Sequence, residues 1–135
     1  MTSRTRRICP AVAVAIAAMA LPAAAPAAVD PWEGTWSTVH QFGHPTLKLK
    51  QEPKGEPGPQ VHGTFLDDNG VKAGNIRGDL SDKGRVWTGT YNNNQSKDKG
   101  KFKVELTAID VFDGWFKTCG RFTCSSKYDW TGTHA

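Results

Sequence analysis

A five-residue pattern, in which two large residues flank a central glycine at positions one and five, recurs six times and limits what this chain can become. It reads Trp32-Glu33-Gly34-Thr35-Trp36, Val61-His62-Gly63-Thr64-Phe65, Ile76-Arg77-Gly78-Asp79-Leu80 and Trp87-Thr88-Gly89-Thr90-Tyr91. It returns as Phe112-Asp113-Gly114-Trp115-Phe116 and Trp130-Thr131-Gly132-Thr133-His134. In an extended strand side chains alternate faces, so each pentad puts both bulky groups and the glycine on one side and mostly polar groups on the other. Glycine weakens a flat strand; on a buried face it marks a bend, or room yielded to a neighbour's ring. Both uses suit a closed, strongly curved sheet.

Two further segments alternate strictly, Thr46 to Lys50 and Lys101 to Leu106, which brings the expected strand count to eight. Short connections join them with no helical period between. Asp67-Asp68-Asn69-Gly70 is expected to make a tight primed turn at Asn-Gly, and Ser81-Asp82-Lys83-Gly84 a second turn. Gln51 to Gln60 and Asn92 to Gly100 are longer surface loops. The expected fold is all-β, an eight-stranded antiparallel up-and-down β-barrel, with a β-sandwich as the alternative. Eight strands enclose an interior that side chains just fill, or that holds one small ligand.

The N-terminal segment has a different composition. Arg4, Arg6 and Arg7 precede an unbroken apolar run, Ala11 to Leu21, and Ala25-Pro26-Ala27 offers small residues for a signal peptidase. Residues 1–28 therefore read as a secretory signal peptide and 29–135 as a single domain. The apolar run is too short to anchor the chain as a membrane span. Arg6-Arg7 also fits a twin-arginine signal, although an ordinary basic start accounts for it. The leader holds three of the 17 basic residues and none of the 13 acids, so the mature domain carries a net charge of only +1. A nucleic-acid partner is not implied. All 14 glycines and all aromatic residues (five Trp, six Phe, two Tyr) belong to the mature part.

Export makes Cys119 and Cys124 a disulfide pair by default. Closing so short a loop contributes about 2 kcal/mol and shapes a hairpin tip. No nucleophile elbow, zinc-protease helix or phosphate loop is present, so no catalytic residue, cofactor or metal is assigned. His40, His44, His62 and His134 are expected to be solvent-exposed rather than convergent ligands. Asp110 and Asp113, near Glu105, read as turn carboxylates rather than a glycosidase pair, and Lys97 to Lys103 as a solvated hairpin edge.

The aromatic residues are the positive signal. If Phe112 and Phe116 point inward, Trp115 points outward beside Lys117, while Phe122 and Arg121 occupy the disulfide loop and Phe42 the first loop. These groups suit contact with a sugar, peptide or protein.

Trp32-Glu33-Gly34-Thr35-Trp36 resembles the Gly-x-Trp first strand shared by lipocalins and avidins. Val86-Trp87-Thr88-Gly89-Thr90-Tyr91 resembles the Trp-Ser-Gly-x-Tyr strand of bacterial avidins. The resemblance implies a barrel whose Trp rings wall a ligand cavity, with Trp87 carried over first and Trp36 by analogy of fold. The polar first-strand pair that avidins turn toward biotin has no match in Ser37 to Phe42, so biotin is not implied. The lipocalins' later Thr-Asp-Tyr motif is absent as well.

Together these readings describe a secreted, non-catalytic binding module for a small apolar ligand or an extracellular protein or glycan. The candidate contacts are Trp36, Trp87, Tyr91, Trp115, Lys117, Arg121, Phe122 and Trp130. Two alternatives accompany it. One is an inhibitor of a secreted hydrolase that inserts the Cys119–Cys124 loop or the start at Val29 to Pro31. The other is a small barrel enzyme, a cyclase or isomerase using Asp113, Tyr91 or His134.

Overall fold

The computed structural model describes residues 30–135; the expected leader, Cys9 and Val29 lie outside the described residues. Eight strands form one closed antiparallel barrel in chain order: β1 (Gly34–Val39), β2 (Thr46–Gln51), β3 (Val61–Leu66), β4 (Lys72–Ser81), β5 (Val86–Asn93), β6 (Lys99–Ala108), β7 (Val111–Cys119) and β8 (Tyr128–His134). Pairing of β1 with β8, Trp36 opposite His134 through Val39 opposite Thr131, closes the seam. That closure rules out the sandwich. There is no helix among the described residues, and none long and apolar enough to cross a membrane.

The pentads face inward as their periodicity requires. Trp36, Val61, Phe65, Ile76, Trp87, Phe112, Phe116 and Trp130 are all buried. Their glycines sit in register with bulky or glycine partners on adjacent strands: Gly63 opposite Ile76, Gly89 opposite Phe102, Gly114 opposite Trp130 and Gly132 opposite Phe112. This register lets rings lie down across neighbouring strands. A Cβ at Gly132 would stand 2.5 Å from Phe112 Cζ, and one at Gly74 would stand 2.6 Å from Phe65 Cζ. Eight strands can thus hold this many aromatic rings without being pushed apart.

Two sequence expectations are corrected. The first pentad is not a strand throughout: Trp32 precedes β1, in a turn whose Glu33 N–H donates to Asp30 O. Trp32 is nevertheless fully buried. Its Nε1–H donates to Gly84 O (2.8 Å), and Trp36 Nε1–H donates to Trp32 O (2.9 Å). Trp32 therefore plugs the end of the barrel where β4 turns into β5.

The turns also exchange roles. At Asp67 to Gly70 only Gly70 takes a positive φ (80°), and Gly70 N–H donates to Asp67 O. That is an ordinary turn followed by a left-handed glycine, not a primed turn. Positive φ at consecutive central residues occurs instead at Asp82 (51°) and Lys83 (58°). Asp68 and Asn69 are free of that demand, and the Asp67 carboxylate caps the loop, accepting from Asn69 N–H and Val71 N–H.

Candidate functional site

Because the chain meanders, the β1–β2, β3–β4, β5–β6 and β7–β8 connections gather at the end opposite Trp32. The interior differs sharply between the two ends. In the plugged half Trp32, Trp36, Trp87, Phe102 and Phe112 are fully buried, with ring centroids 4.5–6.0 Å apart. Trp130 tops this layer, 5.3 Å from Phe112 and 6.0 Å from Phe102. Above it the rings stop filling the lumen, and a cup of about 430 Å³ opens.

Glycine explains why the cup stays open. Gly100 faces inward between Tyr91 and Thr118. A Cβ there would collide with the Lys117 carbonyl oxygen and meet Tyr91 Cε1 at 2.6 Å and its hydroxyl at 2.7 Å, so the glycine lets the next strand close in and lets the Tyr91 ring lie against the wall rather than across the opening. Phe65 does the same over Gly74. Small residues at these levels convert two potential plugs into lining.

The walls of the cup are aromatic: Phe42, Phe65, Tyr91, Phe116 and Tyr128 over a Trp130 floor, with Leu47 and Ile76 between them. His40 joins them. Continuing the alternation from Trp36 and Thr38, it turns inward, with its ring 4.8 Å from Phe116 and 5.9 Å from Phe42. Its Nδ1 accepts from Phe42 N–H (3.0 Å), which leaves the proton of the neutral ring on Nε2. Burial pulls the His40 pKa below its ordinary 6.5; the nearby Asp68 carboxylate opposes that shift and His44 adds to it.

Carboxylates crown the mouth. Asp67 and Asp68 come from the β3–β4 turn and Asp98 from the β5–β6 loop, and among the described residues no Lys or Arg lines the cup. Hydrogen bonds from Val71 N–H, Gln95 and Asn69 N–H hold the Asp67 carboxyl below the usual range. Asp68 ties two loops together by accepting from His44 N–H (2.7 Å). Gln95 Nε2 bridges Asp67 (3.1 Å), and Asn94 N–H donates to Ala73 O (2.6 Å). The mouth is therefore pre-ordered by contacts between loops. Burial also raises the Tyr91 pKa, with the Asp98 charge pushing the same way against the Thr118 hydroxyl bond, so the phenol keeps its proton.

Among the described residues, the indole N–H groups of Trp87 and Trp130 are buried without a hydrogen-bond partner. Trp87 is enclosed by rings. The Trp130 ring borders the cup, with its N–H buried.

The structure divides the sequence candidates into three groups. Tyr91 and Trp130 line the cup. Trp36 and Trp87 lie beneath it in the filled half, inward but out of reach of the opening. Trp115, Lys117, Arg121 and Phe122 are outside: Lys127 and Lys117 ammoniums cover the Trp115 ring at 4.5 and 5.5 Å, and Arg121 stacks on Phe122, which is 88% exposed. Cys119 and Cys124 form the disulfide of the β7–β8 connection. The acid-base candidates are scattered. Asp113 is exposed on the outer face opposite Glu105, His134 packs on Trp36 at the plugged end, and only Tyr91 is in the cup.

No protein-family model matches the chain, and no curated protein matches its sequence. What the site can do thus rests on its own geometry.

Sequence reasoning missed His40, Phe116 and Tyr128 as cup residues, and the expectation of exposed histidines fails for His40. The signal was there. His40 lies an even number of residues from Trp36, and Tyr128 from Trp130, so the same alternation directs both inward. His62 is also partly shielded, 2.8 Å from Glu52 on the outer face. Among the described residues no cluster of three or more His, Cys, Asp or Glu side chains could hold a metal.

Proposed function

We propose that this protein is an exported, non-catalytic binding module that holds a small molecule with a ring-sized apolar body in the open half of its barrel. One observation carries the reading: an aromatic cup of about 430 Å³ set above a core that is otherwise filled. Cavities of this size bury most of a small ligand's surface. Loop-to-loop hydrogen bonds around the mouth reduce the ordering cost of binding. The disulfide fits an oxidising compartment, in line with the leader expected at residues 1–28. The avidin and lipocalin resemblance agrees with a ligand inside the barrel but shifts from the filled half, at Trp36 and Trp87, to the cup above it.

The test is tryptophan emission during titration with a panel of naphthyl and phenyl compounds, lipids and oligosaccharides. A cup ligand changes emission in the parent and in Trp115→Ala, and loses affinity at least tenfold in Tyr128→Ala. Equal affinity in Tyr128→Ala and loss in Trp115→Ala would move the site to the outer wall. A protein-partner reading, inhibition of a secreted hydrolase included, draws on the exposed Phe122 at the disulfide loop. Its discriminating variant is Phe122→Ala, to which a cup ligand is indifferent.

A further inference from the structure

The lining of the cup has a charge asymmetry that its size alone does not convey. Three carboxylates stand at the mouth, the walls below are π faces, and among the described residues no Lys or Arg lines the space. His40 does not supply a compensating cation, because burial disfavours its charged form and its Nδ1 is committed as an acceptor to Phe42 N–H. Of the three carboxylates, Asp67 is occupied by Asn69, Val71 and Gln95. Asp68 spends Oδ1 on His44 N–H, leaving Oδ2 free of that bond. Asp98 offers its carboxylate from the facing loop.

From this arrangement we propose that the ligand of the cup is a small organic cation, an aryl-alkyl ammonium whose ring enters between Phe65, Tyr91, Phe116 and Trp130 and whose ammonium stays at the mouth between Asp68 and Asp98. The inference rests on the binding reading above and specifies its ligand. Two interactions act in the same direction. Aromatic faces attract a cation through their quadrupoles, and the carboxylates attract it by charge-assisted hydrogen bonds. An anion of equal size meets both as repulsion. At the floor, the Trp130 indole borders the cup and so reports on its occupancy.

Three probes of nearly equal shape test the proposal: 2-(naphthalen-1-yl)ethylammonium, 1-naphthylacetamide and 1-naphthylacetate, each titrated into the 15N-labelled protein with the indole N–H resonances as the readout. The ammonium is expected to shift the Trp130 indole resonance and to bind about tenfold tighter than the amide, with the acetate weakest. Its advantage over the amide should shrink severalfold at 1 M NaCl, and in Asp68→Asn/Asp98→Asn, where the asparagine at 68 can still accept from His44 N–H. Equal or tighter binding of the amide or acetate overturns the cation assignment and leaves the cup as a binding site. If none of the three moves the Trp130 resonance, the cup reading itself falls, and this inference with it.

Discussion

Gly132→Ala tests one of the two uses of the inward glycines, room for a ring to lie across the strand, at the position where every near neighbour of an added Cβ is a ring atom. A Cβ at residue 132 would come within 2.5 Å of Phe112 Cζ and closer still to Cε2. Carbon atoms in contact prefer roughly 3.5–4.0 Å, so the ring would have to retreat by about 1 Å. It has nowhere to go: Phe112 is fully buried, with the Trp36 and Trp130 rings both at 5.3 Å and Trp32 at 6.0 Å. Overpacking of a tight core costs about 1–3 kcal/mol, and a boxed-in ring belongs near the top of that range. Replacing glycine also restricts the unfolded chain, which returns roughly 0.5–1 kcal/mol. The net expectation is a loss of about 2 kcal/mol, read by urea denaturation, or a Tm lower by roughly 8–16 °C for a domain of this size. Phe112→Leu in the same chain should recover about half of the loss, a coupling that a double-mutant cycle isolates. Gly120→Ala, whose Cβ would find its nearest neighbour at 3.7 Å, is the neutral control. A Gly132→Ala protein as stable as the parent would refute the reasoning, because it would mean that the rings do not need the space.

Two further expectations follow from local features. Lys83 holds a left-handed backbone (φ 58°) in the β4–β5 turn without a glycine's freedom, so Lys83→Gly should stabilise the protein by about 0.5–1 kcal/mol; a loss of stability in chemical denaturation would contradict this. The second concerns pH. His40 has a folded pKa below its ordinary 6.5, so the unfolded chain binds more protons between the two values, and stability rises with pH across that window. This contribution is complete above 6.5, fades as pH falls toward the folded value and is constant below it. Urea midpoints of the parent and of His40→Asn, compared between pH 7.5 and 5, should show a shallower decline on acidification in the variant. Parallel curves would remove His40 as the source.

The barrel was legible because its signal is redundant. Six pentads and two alternating segments share a period of two, and the connections, with no helical period in any of them, favour pairing of successive strands. The site was legible only in part, since alternation tells which residues face inward but not how far up the lumen they sit. Trp36 and Trp130 carry the same sequence signature, yet one is sealed under rings and the other borders open space. The difference arises from Trp32, which breaks the pentad's strand pattern to plug one end, and from Gly74 and Gly100, which keep Phe65 and Tyr91 against the wall at the other. His40 was obscured because β1 ends at Val39, and the inward phase continues one residue past the strand. The Asn69-Gly70 turn departed from expectation because the Asp67 carboxylate satisfies that loop's backbone donors and stabilises a different geometry.

The seam between β1 and β8 has a consequence for how the molecule holds together. Trp36 pairs with Leu47 of β2 on one side but on the other with His134, almost a hundred residues downstream, so a chain that lacks its final strand leaves one flank of the first strand open. No shorter run of these strands encloses a lumen, so closing the interior requires the last strand as much as the first. The two ends of the described domain thus meet at one seam, and loss of either would unseal the cup and the plugged half together.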